Sequence, residues 1–408
     1  MSFNIRPILS TLSRHRTATM LIVLEIALAC AVLCNALFLI TERLALMNVT
    51  SGVEESQFGL VSFRSCEQCQ PAEFNARIQS ALRAIPGIKS IGVVSALPFA
   101  SPTGNAGITL DQAGKQFGGV PHFYGFGPSA ISTLGLHPTQ GRNFTDVDFQ
   151  PAALYFFPAS ADVWITRSLA DHLWPNETPL GRSFWMDKFH YRVAGVLAHF
   201  VRPNPGQGET GITGADWSVI LPLLDSAQTG TYVIHATPTQ WPQLMQEIRK
   251  TVRQIAPEAI LDEEQSRPLA ELRHQFFQRD RAMAWLLVLV IMAMLLVTSL
   301  GILGLASFWV QQRTKQIGIR RALGATRGQI LRYFQTENFL ISSLGIALGM
   351  LLAYLINQLL MQHYALPRLP LYYLPIGALV LWVLGQAAVF GPARRAAAVP
   401  PAIATRSA

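Results

Sequence analysis

Four long apolar runs break up an otherwise mixed chain: Thr17–Ile40, Ala282–Val310, Phe339–Leu360 and Leu371–Phe390. A helix needs about 20 apolar residues to cross a hydrocarbon core of roughly 30 Å, and each run reaches that length. The second run holds 29 residues without a charge, which gives a helix of roughly 43 Å that protrudes from the membrane. Ahead of the first run, Ile5, Ile8, Leu9 and Leu12 fall on one helical face. That pattern predicts a short amphipathic helix on the inner leaflet.

The stretch between the first two runs changes period. Leu60–Phe63, Ile91–Ser95, Val163–Thr166, Tyr191–Leu197 and Tyr232–Ala236 read as strands. Phe74, Ile78, Leu82 and Ile85 predict a helix over Ala72–Ala84, ended by Pro86-Gly87. A second helix is predicted over Ser168–Leu173. A third covers Trp241–Ile255, with Leu244, Ile248, Val252 and Ile255 on one face and Pro257 as its stop. The Gly/Pro-rich stretches Ala100–Gly107 and Pro203–Gly214 read as loops, and their placement predicts two subdomains. Ile40–Met47 and the helical spacing of Leu269, Leu272, Phe276 and Met283 predict stalk helices that continue the first and second spans. The expected class is an α-helical membrane protein with four transmembrane helices and a large α/β domain between helices 1 and 2.

Charge supplies the orientation. The segment before the first run carries Arg6, Arg14 and Arg16; the segment between the second and third carries Arg313, Lys315, Arg320, Arg321, Arg327 and Arg332; the segment after the fourth carries Arg394, Arg395 and Arg406. Against those twelve, the loop between the third and fourth runs has only Arg368. Positive charge marks the cytoplasmic side, so both termini and the Arg-rich loop are expected in the cytoplasm and the stretch 42–281 outside. The expected divisions are a cytoplasmic amphipathic segment 1–16, spans 17–41, 282–310, 339–360 and 371–391, an outer domain 42–281, a cytoplasmic loop 311–338, a short outer loop 361–370 and a cytoplasmic tail 392–408.

Composition sharpens this. Hydrophobic residues make up 50% of the 408 and charged residues 14%, about half the charge of an ordinary soluble domain. The net charge of +8 is a topology signal, because segment 42–281 is net acidic with 22 acidic and 19 basic residues. It gives no basic face for nucleic acid. The first run, 24 residues long, exceeds a signal-peptide core of about 7–15, and no small-x-small site follows, so this run reads as an uncleaved anchor.

Motifs for chemistry are missing. No G-x-x-x-x-G-K-[ST], G-x-S-x-G or H-E-x-x-H occurs, and the nine histidines are scattered. No catalytic, cofactor-binding or metal residues are expected. Cys66-Glu67-Gln68-Cys69 lacks the further ligands of a metal site. It reads as a local disulfide of an oxidising compartment rather than a redox centre. Cys30 and Cys34 read as packing residues. Glu25, about two turns into the first run, is costly in lipid and must face a protein partner or snorkel inward. Gly345-x-x-x-Gly349 can let two helices approach closely.

The Arg-rich loop is the most specific feature. Gly324 can end one helix in a left-handed cap, and Thr326-x-x-Gln329 is a capping box that can start the next. Ile317, Ala322 and Leu323 offer an apolar patch among arginines. Topology alone calls for charge, not for two ordered helix ends, so a protein-docking elbow is expected here.

The loop run QRTKQIGIRRALGATRGQI resembles the signature of the FtsX/MacB-like permeases of ABC exporters. The outer phrases IPGIKSIGVVSALPF, LGLHPTQGRNFTDVDF, VWITRSLADHLWPNETPLGRSF and YRVAGVLAHFVRP resemble the MacB-like periplasmic core domain, and GPARRAAAVPPAIA resembles the family's closing segment. The resemblance covers nearly the whole chain. It implies a second permease, of the same or a homologous chain, and two ABC ATPase subunits that bind the ATP. The ATPases would dock on Gly318, Ile319, Arg320, Arg321, Ala322, Leu323, Gly324 and Ala325, and their closure would be passed to the periplasmic domains. It further implies membrane lipids as surroundings and, for an exporter, a periplasmic adaptor and an outer-membrane channel. Gln316 stands where the family commonly has an acid, and Pro400-Pro401 replaces the usual acidic ending; both departures are compatible with pairing to a non-identical permease. The implied function is export of a peptide, drug or lipid-linked cargo. The alternative is a transducer that switches a periplasmic enzyme such as a cell-wall hydrolase and moves nothing.

Overall fold

The computed structural model describes residues 16–65, 70–100, 104–206, 211–227, 230–364 and 368–398. The amphipathic stretch at the start and the Cys66–Cys69 pair lie outside the described residues. The chain divides into two compact units, Ala45–Arg279 and the combination of Met1–Leu44 with Asp280–Ala408.

In chain order the elements are α1 (Arg16–Met47), β1 (Phe58–Ser65), α2 (Pro71–Arg83), β2 (Ile88–Val93), β3 (Ile108–Thr109), β4 (Phe117–Gly119), β5 (His122–Phe126), α3 (Pro128–Leu134), β6 (Gln140–Gly141), β7 (Ser160–Thr166) and α4 (Arg167–Leu173). They continue as β8 (Ser183–Met186), β9 (Phe189–Leu197), β10 (Ser218–Pro222), β11 (Thr231–Ala236), α5 (Trp241–Ile255), β12 (Ile260–Leu261), α6 (Leu269–Phe276), α7 (Gln278–Gln312), α8 (Thr314–Ala322), α9 (Arg327–Tyr364) and α10 (Tyr373–Ala398).

The outer unit holds two sheets. The first has the order β12-β1-β11-β2 with antiparallel neighbours. Helix α2 joins β1 to β2 and α5 joins β11 to β12, so two β-α-β halves interlock as a split βαβ sheet. Pro71 opens α2 at a position where the missing N–H costs nothing. Phe74, Ile78 and Leu82 of α2, with Trp241, Leu244, Ile248 and Val252 of α5, then cover one face of the sheet. Alternation sends Val61 and Tyr232 to that helix-covered core and Leu60 and Val233 to the opposite one. The opposite core also takes Leu46, Leu269 and Leu272. Helix α6 is therefore seated in the outer unit and ends at Phe276; the stalk expected to run on into the second span is broken at the single residue Phe277 before α7 begins. Burial of Leu269 and Leu272 holds it there, and Arg273 fastens it by donating to the carbonyls of Met47 at 2.6 Å and Val49 at 2.7 Å.

The second sheet, β4-β3-β8-β9-β7-β10-β5 with β6 on β9, is an insertion between β2 and β11. Strands β7 and β9 are parallel, as are β5 and β10. Its polar rim explains one of the phrases that carried the family resemblance. Arg142 donates to both oxygens of Asp148, at 2.6 and 2.7 Å, and to Asp162 at 2.7 Å; Asp162 in turn accepts from Arg192. Phe144 lies flat on Trp164 at 4.0 Å between ring centres. The arginines hold both aspartates below the ordinary carboxylate range.

Among the described residues, the membrane unit has four helices long and apolar enough to cross a bilayer. The first is its packing hub: 67% of its apolar window is buried against 11% for the second, so α1 is surrounded by its neighbours and α7 is peripheral. Small residues make this packing close. A side chain at Gly345 or Gly349 would drive into Ile26 or Cys30 of α1, with Cβ contacts of 2.8 and 2.5 Å. The Gly345–Gly349 face is thus used inside the chain. Cys30 and Cys34 are fully buried, and Asn35 donates to the carbonyls of Ala31 at 2.9 Å and Ala353 at 3.1 Å. Helix α9 begins at Arg327, twelve residues before its apolar run, because a formed capping box starts it there and no breaker follows.

Candidate functional site

The segment after α7 folds as an elbow. The backbone leaves regular helix at Arg313 (φ −102°, ψ 9°) and re-enters it as the nine-residue α8. Its end is a Schellman cap: Ala325 N–H donates to the Arg320 carbonyl at 3.0 Å and Gly324 N–H to that of Arg321 at 3.1 Å. Gly324 has φ +95°, a conformation strained for any residue with a Cβ. The next helix is capped reciprocally. Gln329 N–H donates to Thr326 Oγ1 at 3.3 Å, and Thr326 N–H donates to Gln329 Oε1 at 2.9 Å. Both caps expected from the sequence are formed.

Helical geometry splits the expected apolar patch. Ile317 and Gly318 are buried against the bundle, with Ile317 only 6% exposed. Ile319, Ala322 and Leu323, at i, i+3 and i+4, face outward; Leu323 is 83% exposed. Ile317 was expected on the outer surface, yet it lies one turn from Arg313 on the inner face, and Ile319 takes its place outside. Lys315 and Arg320 rim the patch and Arg321 is half-buried. The guanidinium of Arg320 lies 5.2 Å from the centre of the Tyr333 ring. Between α8 and the start of α9 is a cavity of about 170 Å³, lined by both helices.

One constellation was missed from the sequence. Arg313 Nη1 donates to Glu337 Oε1 at 3.0 Å and Oε2 at 2.9 Å. The two side chains are 11% and 2% exposed, and the guanidinium lies 5.6 Å from the Trp309 ring centre. The signal available was that Glu337 is the only acid in the basic stretch 311–338. Glu25 of α1 is half-buried and packs on the backbone of Gly301 in α7, where a Cβ would come within 2.6 Å of its carboxylate. The elbow and Glu25 belong to one unit but are not brought together.

Comparison with known proteins places this architecture. Residues 19–251 match the MacB-like periplasmic core domain and residues 288–401 match the FtsX-like permease C-terminal family. The chain belongs to the FtsX-like permeases that carry a MacB-like periplasmic core domain, and it is an inner-membrane protein of that family. It is 30% identical, over 55% of its length and 34% of the relative, to the macrolide export ATP-binding/permease protein MacB of Bradyrhizobium diazoefficiens. It is 25% identical to the pyoverdine export ATP-binding/permease protein PvdT of Pseudomonas fluorescens, over 80% of this chain and 49% of that one. It is also 25% identical to the ABC transporter permease YvrN of Bacillus subtilis, covering 70% of each. The chain spans between a third and a half of the length of these two ATP-binding/permease relatives.

Proposed function

We propose that this chain is the permease of an ABC transporter, taking ATP-driven motion from two ATPase subunits at the elbow and turning it into work of the periplasmic unit. The observation that carries the reading is an exposed apolar face, Ile319, Ala322 and Leu323, set just ahead of two formed helix caps and rimmed by cations. Such a face is rigid, desolvates at little cost and favours an acidic rim on its partner. Relatives named as ATP-binding/permease proteins support an ABC ATPase as the source of the motion that enters at the elbow. The same reading puts the elbow and both termini in the cytoplasm, consistent with the basic segments, and pairs the chain with a second permease. Names of the relatives, which mention macrolide and pyoverdine export, support efflux as the purpose, with an adaptor and an outer-membrane channel as candidate companions.

The test is recovery of ATPase with tagged permease. Ala322→Asp/Leu323→Asp puts two carboxylates into the contact, where unpaired buried charge costs several kcal/mol. Recovery is expected to be lost while the permease still inserts. Arg320→Ala, at the rim, is expected to weaken recovery less. Undiminished recovery with the double variant rejects the elbow as the docking site.

A further inference from the structure

The elbow helix is short. Nine residues make about 13 Å of helix, too little to be stable alone. What holds it therefore decides what happens when it is pushed. One end is tied covalently to α9 through the capped turn Leu323–Thr326. That turn is largely exposed, and Gly324 touches nothing that a side chain would meet within 4 Å. The middle is packed only in part: Ile317 is buried against the bundle and Arg320 lies over the Tyr333 ring, but a cavity of about 170 Å³ opens beside them between the two helices. The other end is tied by Arg313 to Glu337, ten residues into α9.

These two tie points differ in stiffness. A turn around one glycine can pivot. The buried pair is stiffer, since Arg313 Nη1 sits between both carboxylate oxygens of a nearly fully buried Glu337 and the guanidinium lies beside Trp309. Among the six basic residues of the elbow region, Arg313 alone is buried. As a source of stability such a pair is often matched by apolar side chains. What it supplies better is geometry.

We propose that the Arg313–Glu337 pair is a joint that makes the elbow helix and the third span move as one body, so that a push on the elbow enters the span instead of being absorbed at the Gly324 turn. Arg313 and Glu337 are thus positioning residues. The source of the push rests on the docking reading above, but the joint exists in the permease without any ATPase, and it is tested there.

The measurement is hydrogen exchange on the full chain in lipid nanodiscs, with no ATPase added. Glu337→Gln is expected to speed exchange of the amides from Ile317 to Leu323 by more than about tenfold, leaving the outer unit unchanged as the internal control. Glu337→Asp keeps the charge and is expected to stay within about threefold of the parent. If Glu337→Gln fails to insert because Arg313 is left alone, Arg313→Gln/Glu337→Gln buries no charge and is expected to show the same faster elbow exchange. Elbow exchange that matches the parent in the Gln variants overturns the joint, as does an Asp variant as fast as the Gln variant. With the co-purifying ATPase present, Glu337→Gln is expected to keep ATPase recovery but lose stimulation of ATP turnover. Loss of recovery would make the pair part of docking and overturn the joint. Failure of the docking reading appears separately, as ATPase retained by Ala322→Asp/Leu323→Asp.

Discussion

The outer unit packs around large aromatic side chains, and the membrane unit packs around small ones. Of the eleven largest fully buried side chains, only Phe38 and Ile26 belong to the membrane unit; the rest, including Trp164, Tyr124, Tyr191 and Phe184, are in the outer unit. Around α1 the buried positions include a run of small ones, Ala27, Ala29, Cys30, Ala31 and Cys34, with Gly345, Gly349 and Gly377 packed against the helix. In water, burying an aromatic ring removes a large apolar area and drives folding. In lipid the surroundings are as apolar as the core, so helices gain by close approach and by polar contacts such as those of Asn35. A MacB/FtsX-type permease has to hold both solutions in one chain, and each has its own weak point.

The largest effect should come from emptying the aromatic core. Trp164→Ala removes the ring on which Phe144 stacks, and should cost about 3–5 kcal/mol in the outer unit. Thermal unfolding of the full chain in detergent, followed by tryptophan fluorescence and by proteolysis of each unit, should show the outer transition falling and the membrane unit holding. The opposite substitution should harm the other unit. Gly349→Leu overfills the contact with Cys30, at a cost of about 1–3 kcal/mol, with protease resistance of the membrane helices as the readout. If Gly349→Leu were neutral, close approach would not be what holds α1 and α9.

Acid should separate the units next. His122 is buried in the outer unit, and that burial, with the charge of Arg202 nearby, pulls its pKa down to about 3. The unfolded chain then binds a proton that the folded chain refuses. Stability from this residue is level above its ordinary value of about 6.5 and falls by about 1.4 kcal/mol for each pH unit below it, until about pH 3. Asp148 and Asp162, held low by Arg142 and Arg192, add their loss only below the ordinary carboxylate range. Asp216 works the other way, because burial raises its pKa and acid relieves it. Unfolding midpoints between pH 7 and 5 should therefore drop for the outer unit, and His122→Asn should flatten that slope. An unchanged slope would assign the acid response to other groups. The smallest effect is expected for Asn35→Ala, which removes the bond to Ala353 across the helix pair and should cost about 0.6 kcal/mol. A loss comparable to Trp164→Ala would mean that polar contacts, not close approach, dominate the membrane unit.

Much of this was legible in the sequence, for reasons that differ by element. The spans were visible because a helix in lipid must be apolar along its whole length. Helices α2 and α5 were visible because each is half-buried, so its period shows. The two elbow caps were visible because Gly324 and the Thr326/Gln329 pair act within a few residues of themselves. Strands β5 and β10 left no such mark. Every residue of His122–Phe126 and Ser218–Pro222 is buried, so neither alternates. They pair in parallel, His122 opposite Ser218, across a connection that carries β6, β7, β8 and β9 of the same sheet.

The elbow shows the same division within a single site. Its position, charge and caps are local properties, and the sequence determined them. Which face turned outward was decided by tertiary structure, because Ile317 and Ile319 are equally apolar and only the place of Arg313 against α9 chooses between them. Glu337 reads as one acid in a basic stretch until the fold brings it within hydrogen-bonding reach of Arg313. The pair is 24 residues apart in the chain, and no local period links two residues whose partnership depends on the angle at which α8 folds back on α9.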